Sequence, residues 1–253
     1  MLKFAELCID RKVPYAAIFG NHDDEGDMSR QDLMDFLTEL PYSVSKPGIQ
    51  DVDGVGNYVV LIEQPRLSHV EWWLIFRSSE IAIALWFLDS HKYSSNERKY
   101  PGYDWLRESQ IAWFKWQHEQ FVPWPRDSLQ AGFIHIPLTE YRIYTNPVIG
   151  GWREAPTGPL FNSGFRKALA EKNIMVLSAG HDHANDYCML DEMRMFREEK
   201  TWMCYGGGVG YGGYGGYGGY KRRLRLFEVL LEKFQGAHSS LTYERDRLRR
   251  GNE

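Results

Sequence analysis

The chain has 253 residues, with 43% hydrophobic, 15% aromatic and 25% charged residues, so it can bury a full globular core. Thirty basic against 34 acidic residues leave a net charge of −4, which argues against a general nucleic-acid or anionic-membrane binder. Three cysteines without a Cys-x-x-Cys argue against a disulfide framework or a zinc knuckle, and for a reducing compartment.

The predicted elements alternate from the start. Residues 1–11 read as a surface helix rather than a secretory signal. Tyr15 to Phe19 reads as a buried strand. Ser29 is a plausible N-cap, and Leu33, Phe36, Leu37 and Leu40 follow at helical spacing until Pro41. Three strands are expected over Tyr58–Ile62, Val70–Phe76 and Ile81–Leu88. Arg77, Ser78, Ser79 and Glu80 break the apolar run there, so a polar turn fits better than a membrane span. Tyr93–Tyr103 is turn-rich. A helix is expected over about 109–121, with Ile111, Phe114 and Phe121 on one side.

Ala131–Ile136 reads as a strand stopped by Pro137, and 139–160 as a long ordered loop. A helix over Phe165–Lys172 and a strand over Ile174–Ala179 follow. Trp202–Tyr205 and Leu224–Leu231 are further strand candidates. Gly206–Tyr220 is of low complexity, with tyrosine at every third position; a loop closing over a site explains it better than base stacking. A domain over 1–232 and a polar tail over 233–253 complete an α/β chain.

Two motifs carry the chemistry: Gly20-Asn21-His22-Asp23 and Gly180-His181-Asp182-His183. Each follows a short β-prone run, and His135 ends a third. Ligands in open α/β sheets collect beyond the carboxyl ends of strands. The leading glycines would let the backbone turn and approach a bound anion. Imidazoles suit iron, zinc and manganese, and an Asn oxygen adds a neutral hard donor. Two histidines one residue apart can face two metals. A hydroxide held between such metals attacks phosphorus in line, and a nearby histidine protonates the leaving oxygen.

Three segments add weight: Ile18-Phe19-Gly20-Asn21-His22-Asp23-Asp24-Glu25-Gly26, Phe133-Ile134-His135-Ile136-Pro137-Leu138 and Trp152-Arg153-Glu154-Ala155-Pro156. Gly180 through Cys188 and the Gly-Tyr segment complete the set. On these, the chain resembles the calcineurin-like metallophosphoesterases, in the purple-acid-phosphatase-like branch that holds the dosage-dependent cell cycle regulator phosphatases. The resemblance implies an αββα sandwich and two metal ions (Mn, Fe or Zn). Asn21, His135 and His181 would bind the second metal and His183 the first. His22 would contact the phosphate or protonate the leaving group, with Asp23 orienting its ring.

The resemblance also implies an Asp-x-His and a Gly-Asp-x-x-Asp motif before Gly20, and neither is present. The fold is therefore expected to be incomplete at its N-terminus. The chain alone would have three neutral donors for one metal and one for the other, and would be inactive or nearly so. A catalytically dead, partner-binding form is the competing reading, and a one-metal binding protein the third. The partner implied is a phosphorylated substrate, without nucleic acid or a membrane segment. Localisation stays open, with the cytoplasm favoured.

Other residues admit plainer readings. Asp89-Ser90-His91 is an Asp-x-His in the wrong place, although Asp89 and His91 can line the cleft. Arg153 would bind a substrate phosphate or form a structural salt bridge. Asp182 and Asp186 would support the histidines or be solvated. His69, His118 and His238 read as surface or core residues, and Trp113, Phe114 and Trp116 as core.

Overall fold

The computed structural model describes residues 2–63, 81–121, 128–143, 148–194, 198–210 and 221–229. Helix α1 spans Leu2–Asp10 and α2 spans Arg30–Glu39. Ser29 caps α2 with a reciprocal box: its Oγ accepts from Asp32 N, and the Asp32 carboxylate accepts from Ser29 N at 3.0 Å. The face α2 buries is Leu33, Met34 and Leu37 against Phe19. Met34, not the expected Phe36, fills that face.

The described strands form one mixed sheet in the order β1-β2-β3-β5-β7-β6-β4. They are β1 Tyr58–Glu63, β2 Ile81–Phe87, β3 Leu129–Ile134, β4 Val148–Ile149, β5 Val176–Ala179, β6 Cys188–Arg194 and β7 Glu198–Tyr205. The four central strands, β2, β3, β5 and β7, run parallel; β1 and β6 flank them antiparallel, and β4 pairs antiparallel with β6. This mixed, helix-covered sheet is the α/β class that the sequence predicts, and it is consistent with the calcineurin-like architecture.

Side chains alternate across the sheet. One face presents Ala84, Trp86, Ile134, Leu177 and Met203 to helices α3 (Glu108–Phe121) and α4 (Phe165–Glu171), which contribute Trp113, Phe114, Phe165 and Leu169. Trp86 is fully buried and stands edge-on to Phe114, with ring centroids 5.0 Å apart. Its Nε1 donates to Gln130 Oε1 at 3.1 Å, and Gln130 Nε2 lies 3.1 Å from His118 Nε2. His118 is a core residue, as expected. Trp116 is not: it is 54% exposed, because it falls on the outer side of α3.

Several expectations meet corrections. Tyr15–Phe19 is extended but makes a single bridge, Tyr15 to Ser43. Side chains satisfy its neighbours instead: Ala17 N donates to Ser45 Oγ at 2.9 Å, and Ala17 O accepts from Tyr58 OH at 2.6 Å. Residues 224–229 form no strand. The strand β6 was not foreseen. The expected strand Val70–Phe76, the Tyr211–Tyr220 repeat, His69, His238 and the polar tail lie outside the described residues.

The cysteine reading is also corrected. Cys188 and Cys204 are direct neighbours in the β6–β7 register and form a disulfide, leaving Cys8 free. An odd count leaves room for one pair, and the register of two strands, invisible in spacing alone, brings these two together. The inference of a reducing compartment loses its support.

Candidate active site

The parallel strands deliver their carboxyl ends to one edge of the sheet. Past β2 come Leu88 and Asp89; past β3, His135; past β5, Gly180-His181; past β7, Gly206. The ladder runs one step beyond the strands, with Gly180 N donating to His135 O at 3.0 Å and Gly206 N to Ala179 O at 2.9 Å. The backbone under the histidines is therefore held as firmly as the sheet.

Three of the foreseen donors converge. Asn21 Oδ1 lies 2.9 Å from His135 Nε2 and 3.1 Å from His181 Nδ1. An amide oxygen only accepts, so both ring nitrogens donate to it. These contacts join positions 114 and 160 residues apart in sequence. Asn21 is 1% exposed, and its Nδ2 is buried without a hydrogen-bond partner. The His135 and His181 rings stand edge-to-face with centroids 5.3 Å apart.

The motif glycines have a reason beyond the expected one. A Cβ on Gly20 would sit 2.9 Å from His135 Cε1, and one on Gly180 would sit 3.0 Å from His135 Nδ1. Both glycines let backbone close on the His135 ring, a reason that stands beside the expected approach to an anion. His181 itself takes φ +66°, a conformation that costs an ordinary residue about 1–3 kcal/mol and clusters at functional sites.

Burial sets the electrostatics. It pushes the His135 imidazole down to about 3, assisted by His181, His183, Arg30 and His22. It pushes His181 down to about 4, assisted by His183 and His22. Both rings are neutral near pH 7, the state a metal requires. Burial also lowers His183; Arg222 and His22 add to this, while Glu154 opposes it.

Beneath the donors lies a layer the sequence reading missed. Arg30 Nη1 donates to Asp89 Oδ1 at 2.7 Å, and Nη2 donates to Gly20 O at 2.8 Å. Asp89 is 1% exposed and also accepts from Val55 N and His91 N. Ser90 Oγ accepts from His135 N at 3.2 Å and Ile136 N at 2.7 Å. The Asp89-Ser90-His91 segment thus supports the site from below, with Asp89 paired to an arginine. Tyr103 stands edge-on to His181, ring centroids 4.3 Å apart.

His22 stands apart from the convergent three. Its side chain is 64% exposed, and its Nδ1 meets Glu25 Oε1 at 2.7 Å. Asp23, expected to orient that ring, instead accepts from Gly20 N at 2.6 Å and closes its own turn. Glu25 is the ring's partner because the turn brings i and i+3 together. Arg153 forms the salt-bridge alternative: its Nη1 pairs with Asp186. Asp186 also meets Arg223 Nε at 2.9 Å. Asp182 accepts from Tyr205 OH at 2.5 Å and from Thr157 N at 3.1 Å. Asp182 is buried and Asp186 half-buried, and the hydrogen bonds described for both go to loop, strand and arginine partners.

The donor chemistry fits one first-row transition ion at Asn21, His135 and His181, through neutral oxygen and nitrogen atoms. Among the described residues, no group of three or more His, Cys, Asp or Glu side chains is arranged to hold a metal. Of the three convergent donors, two are imidazoles and the third is an amide oxygen.

No family model matches the chain. It is 39% identical to phosphatase DCR2 of Saccharomyces cerevisiae over 244 residues, which cover 90% of this chain and 39% of that protein. It is 35% identical to probable inactive purple acid phosphatase 14 of Arabidopsis thaliana over 242 residues, 89% of this chain and 56% of that one. Probable inactive purple acid phosphatase 29 of the same plant is 33% identical over 240 residues, 89% and 58% of the two chains. These matches, together with the mixed α/β sheet, place the chain in the metallophosphoesterase class. The chain belongs to the purple-acid-phosphatase-like branch of that family, a family of phosphatases. It spans about 40 to 60% of the length of these relatives.

Proposed function

We propose that this chain contributes to the centre of a metal-dependent phosphomonoesterase acting on a phosphorylated substrate. The observation that carries the proposal is the meeting of Asn21 Oδ1, His135 Nε2 and His181 Nδ1 from three separate loops. Those three would hold one ion, and His183 would contribute to a second; Mn, Fe and Zn suit the donors. When bound, the ions would supply Lewis acidity at the phosphoryl oxygens.

The chain's own residues do the rest. Burial keeps His135 and His181 neutral, and each would pass the N–H that now faces Asn21 to its other ring nitrogen on taking an ion. Arg30 and Ser90 hold the Gly20 and His135 loops in register. Glu25 engages His22 Nδ1 at the exposed mouth, which leaves Nε2 to give a proton to a leaving oxygen. Asp23 fixes the turn that carries His22.

A second reading has its own support. Three relatives carry the name "probable inactive" purple acid phosphatase, and the gathered donors here are all neutral. In that reading the chain is a folded, partner-binding protein without turnover. Metal content by mass spectrometry, with phosphate release from p-nitrophenyl phosphate, separates the two. With the two motifs that the resemblance implies before Gly20 supplied, the enzymatic reading expects bound metal, and turnover lost in His22→Ala, His135→Ala and His183→Ala. A folded, metal-free chain without turnover would favour the inactive form. Equal turnover in wild type and all three variants would sink the enzymatic assignment.

A further inference from the structure

The sequence singled out Trp152-Arg153-Glu154-Ala155-Pro156, and its arginine is spent on Asp186. Glu154 has a different position. Its Oε1 accepts from Ala184 N at 2.6 Å, the peptide N–H directly after His183. Asn185, fully buried, ties the same two loops: its Oδ1 accepts from Arg153 N at 2.8 Å and Glu154 N at 3.1 Å, and its Nδ2 donates to Glu154 O at 2.9 Å. On the other side, His183 O accepts from Gly208 N at 3.0 Å. The His183–Ala184 peptide is therefore pinned at both its N–H and its carbonyl.

We propose that Glu154 is the positioning residue for His183, fixing the His183–Ala184 peptide with a charged acceptor and placing a negative charge beside an otherwise neutral donor set. This rests on the reading of His183 as a metal donor. A carboxylate makes a shorter and stronger hydrogen bond to an amide than a neutral oxygen does. Carboxylates behind metal-binding histidines typically affect metal affinity ten- to a hundredfold. Here the carboxylate acts through the backbone and through its field. The Glu154 carboxylate, hydrogen-bonded to the peptide that follows His183, brings its negative charge close to that ring. The same negative charge favours a cation at the ring.

The test uses the whole chain, Co2+ as probe, and the variants Glu154→Ala and Glu154→Gln. Glu154→Ala is expected to bind Co2+ at least tenfold more weakly, with shifted visible absorption bands and unchanged near-ultraviolet circular dichroism. Glu154→Gln retains an oxygen acceptor without charge; it is expected to restore the band positions but not the affinity. If Glu154→Ala does not fold, the affinity loss in Glu154→Gln carries the test. Wild-type affinity and spectrum in a folded Glu154→Ala, or bands left unrestored in Glu154→Gln, would overturn the proposal. A wild-type chain giving no Co2+ spectrum would instead break the metal reading. Amide exchange then decides the positioning alone: faster exchange at Ala184 in Glu154→Ala upholds it, and unchanged exchange rejects it.

Discussion

The inner and outer parts of the site are built in different ways. Asn21, His135 and His181 meet at the sheet edge, where the hydrogen-bond ladder continues past β3 and β5 and two glycines close on one imidazole. His22 and His183 stand on turns held by a few side chains, Asp23 for one, with Glu25 on its ring, and Glu154 and Asn185 for the other. The inner part takes its precision from the fold. The outer part takes it from those side chains, so single substitutions should loosen it without harming the sheet.

The largest effect should come from the inner donors. His135→Ala and His181→Ala are each expected to weaken Co2+ binding at least about a hundredfold, since each removes one of three donors. His22→Ala should leave Co2+ binding unchanged in the same calorimetric titration. Equal losses in all three would erase the distinction between inner and outer parts.

A smaller effect is expected from Gly20→Ala, which places a Cβ 2.9 Å from His135 Cε1. The backbone cannot yield easily, because Arg30 holds Gly20 O. The ring must move, and metal affinity should fall about tenfold. By contrast Gly26→Ala, with open space around its position, should behave as wild type.

Acid should act on core and site with the same sign. Burial lowers His118 to about 4 from 6.5 in the folded protein, with Lys172 adding to the shift. The unfolded chain then binds more protons between these values. The contribution is complete above 6.5 and is lost as pH falls to about 4, at up to about 1.4 kcal/mol per pH unit. His135 and His181 follow the same rule. Urea unfolding at pH 7 and pH 5 should show a shallower decline in His118→Phe than in wild type. Bound metal, which takes only the neutral rings, should leave the site's share of the decline in place between pH 7 and pH 5 and carry it to lower pH, without changing that of His118.

The disulfide should matter least. Closing a loop of this size, across a sequence separation of 16, is worth at most about 3 kcal/mol, and the β6–β7 ladder already restricts that hairpin. Reduction should therefore lower stability by less than that figure in thermal melts. A thiol count should find one reactive cysteine in the native protein and three after reduction and unfolding.

Much of this was legible in the chain. Ser29 with Asp32 three residues on is a cap signal that depends only on neighbours. A β-prone run followed by a ligand marks three donors in the sequence, at Gly20-Asn21, Ile134-His135 and Gly180-His181. The segments read least well were those whose partners are distant. Tyr15–Phe19 has a strand's composition, yet its hydrogen bonds go to Ser45 and Tyr58. Asp23 stood next to His22 in sequence, and the turn gave that ring to Glu25. Arg30 and Ser90 carried no motif signal, because their role lies in the backbone groups they reach.

By itself, the sequence determined the α/β class, the helix caps, the central strands and the types of donor atom, all set by periodicity and local chemistry. Tertiary structure decided which donors meet and which charges are spoken for. It closed Asn21 on His135 and His181, turned Arg153 toward Asp186, paired Cys188 with Cys204 and set Glu154 behind His183. Those outcomes depend on strand order and register, which bring together residues tens to more than a hundred positions apart, and spacing along a chain carries no record of them.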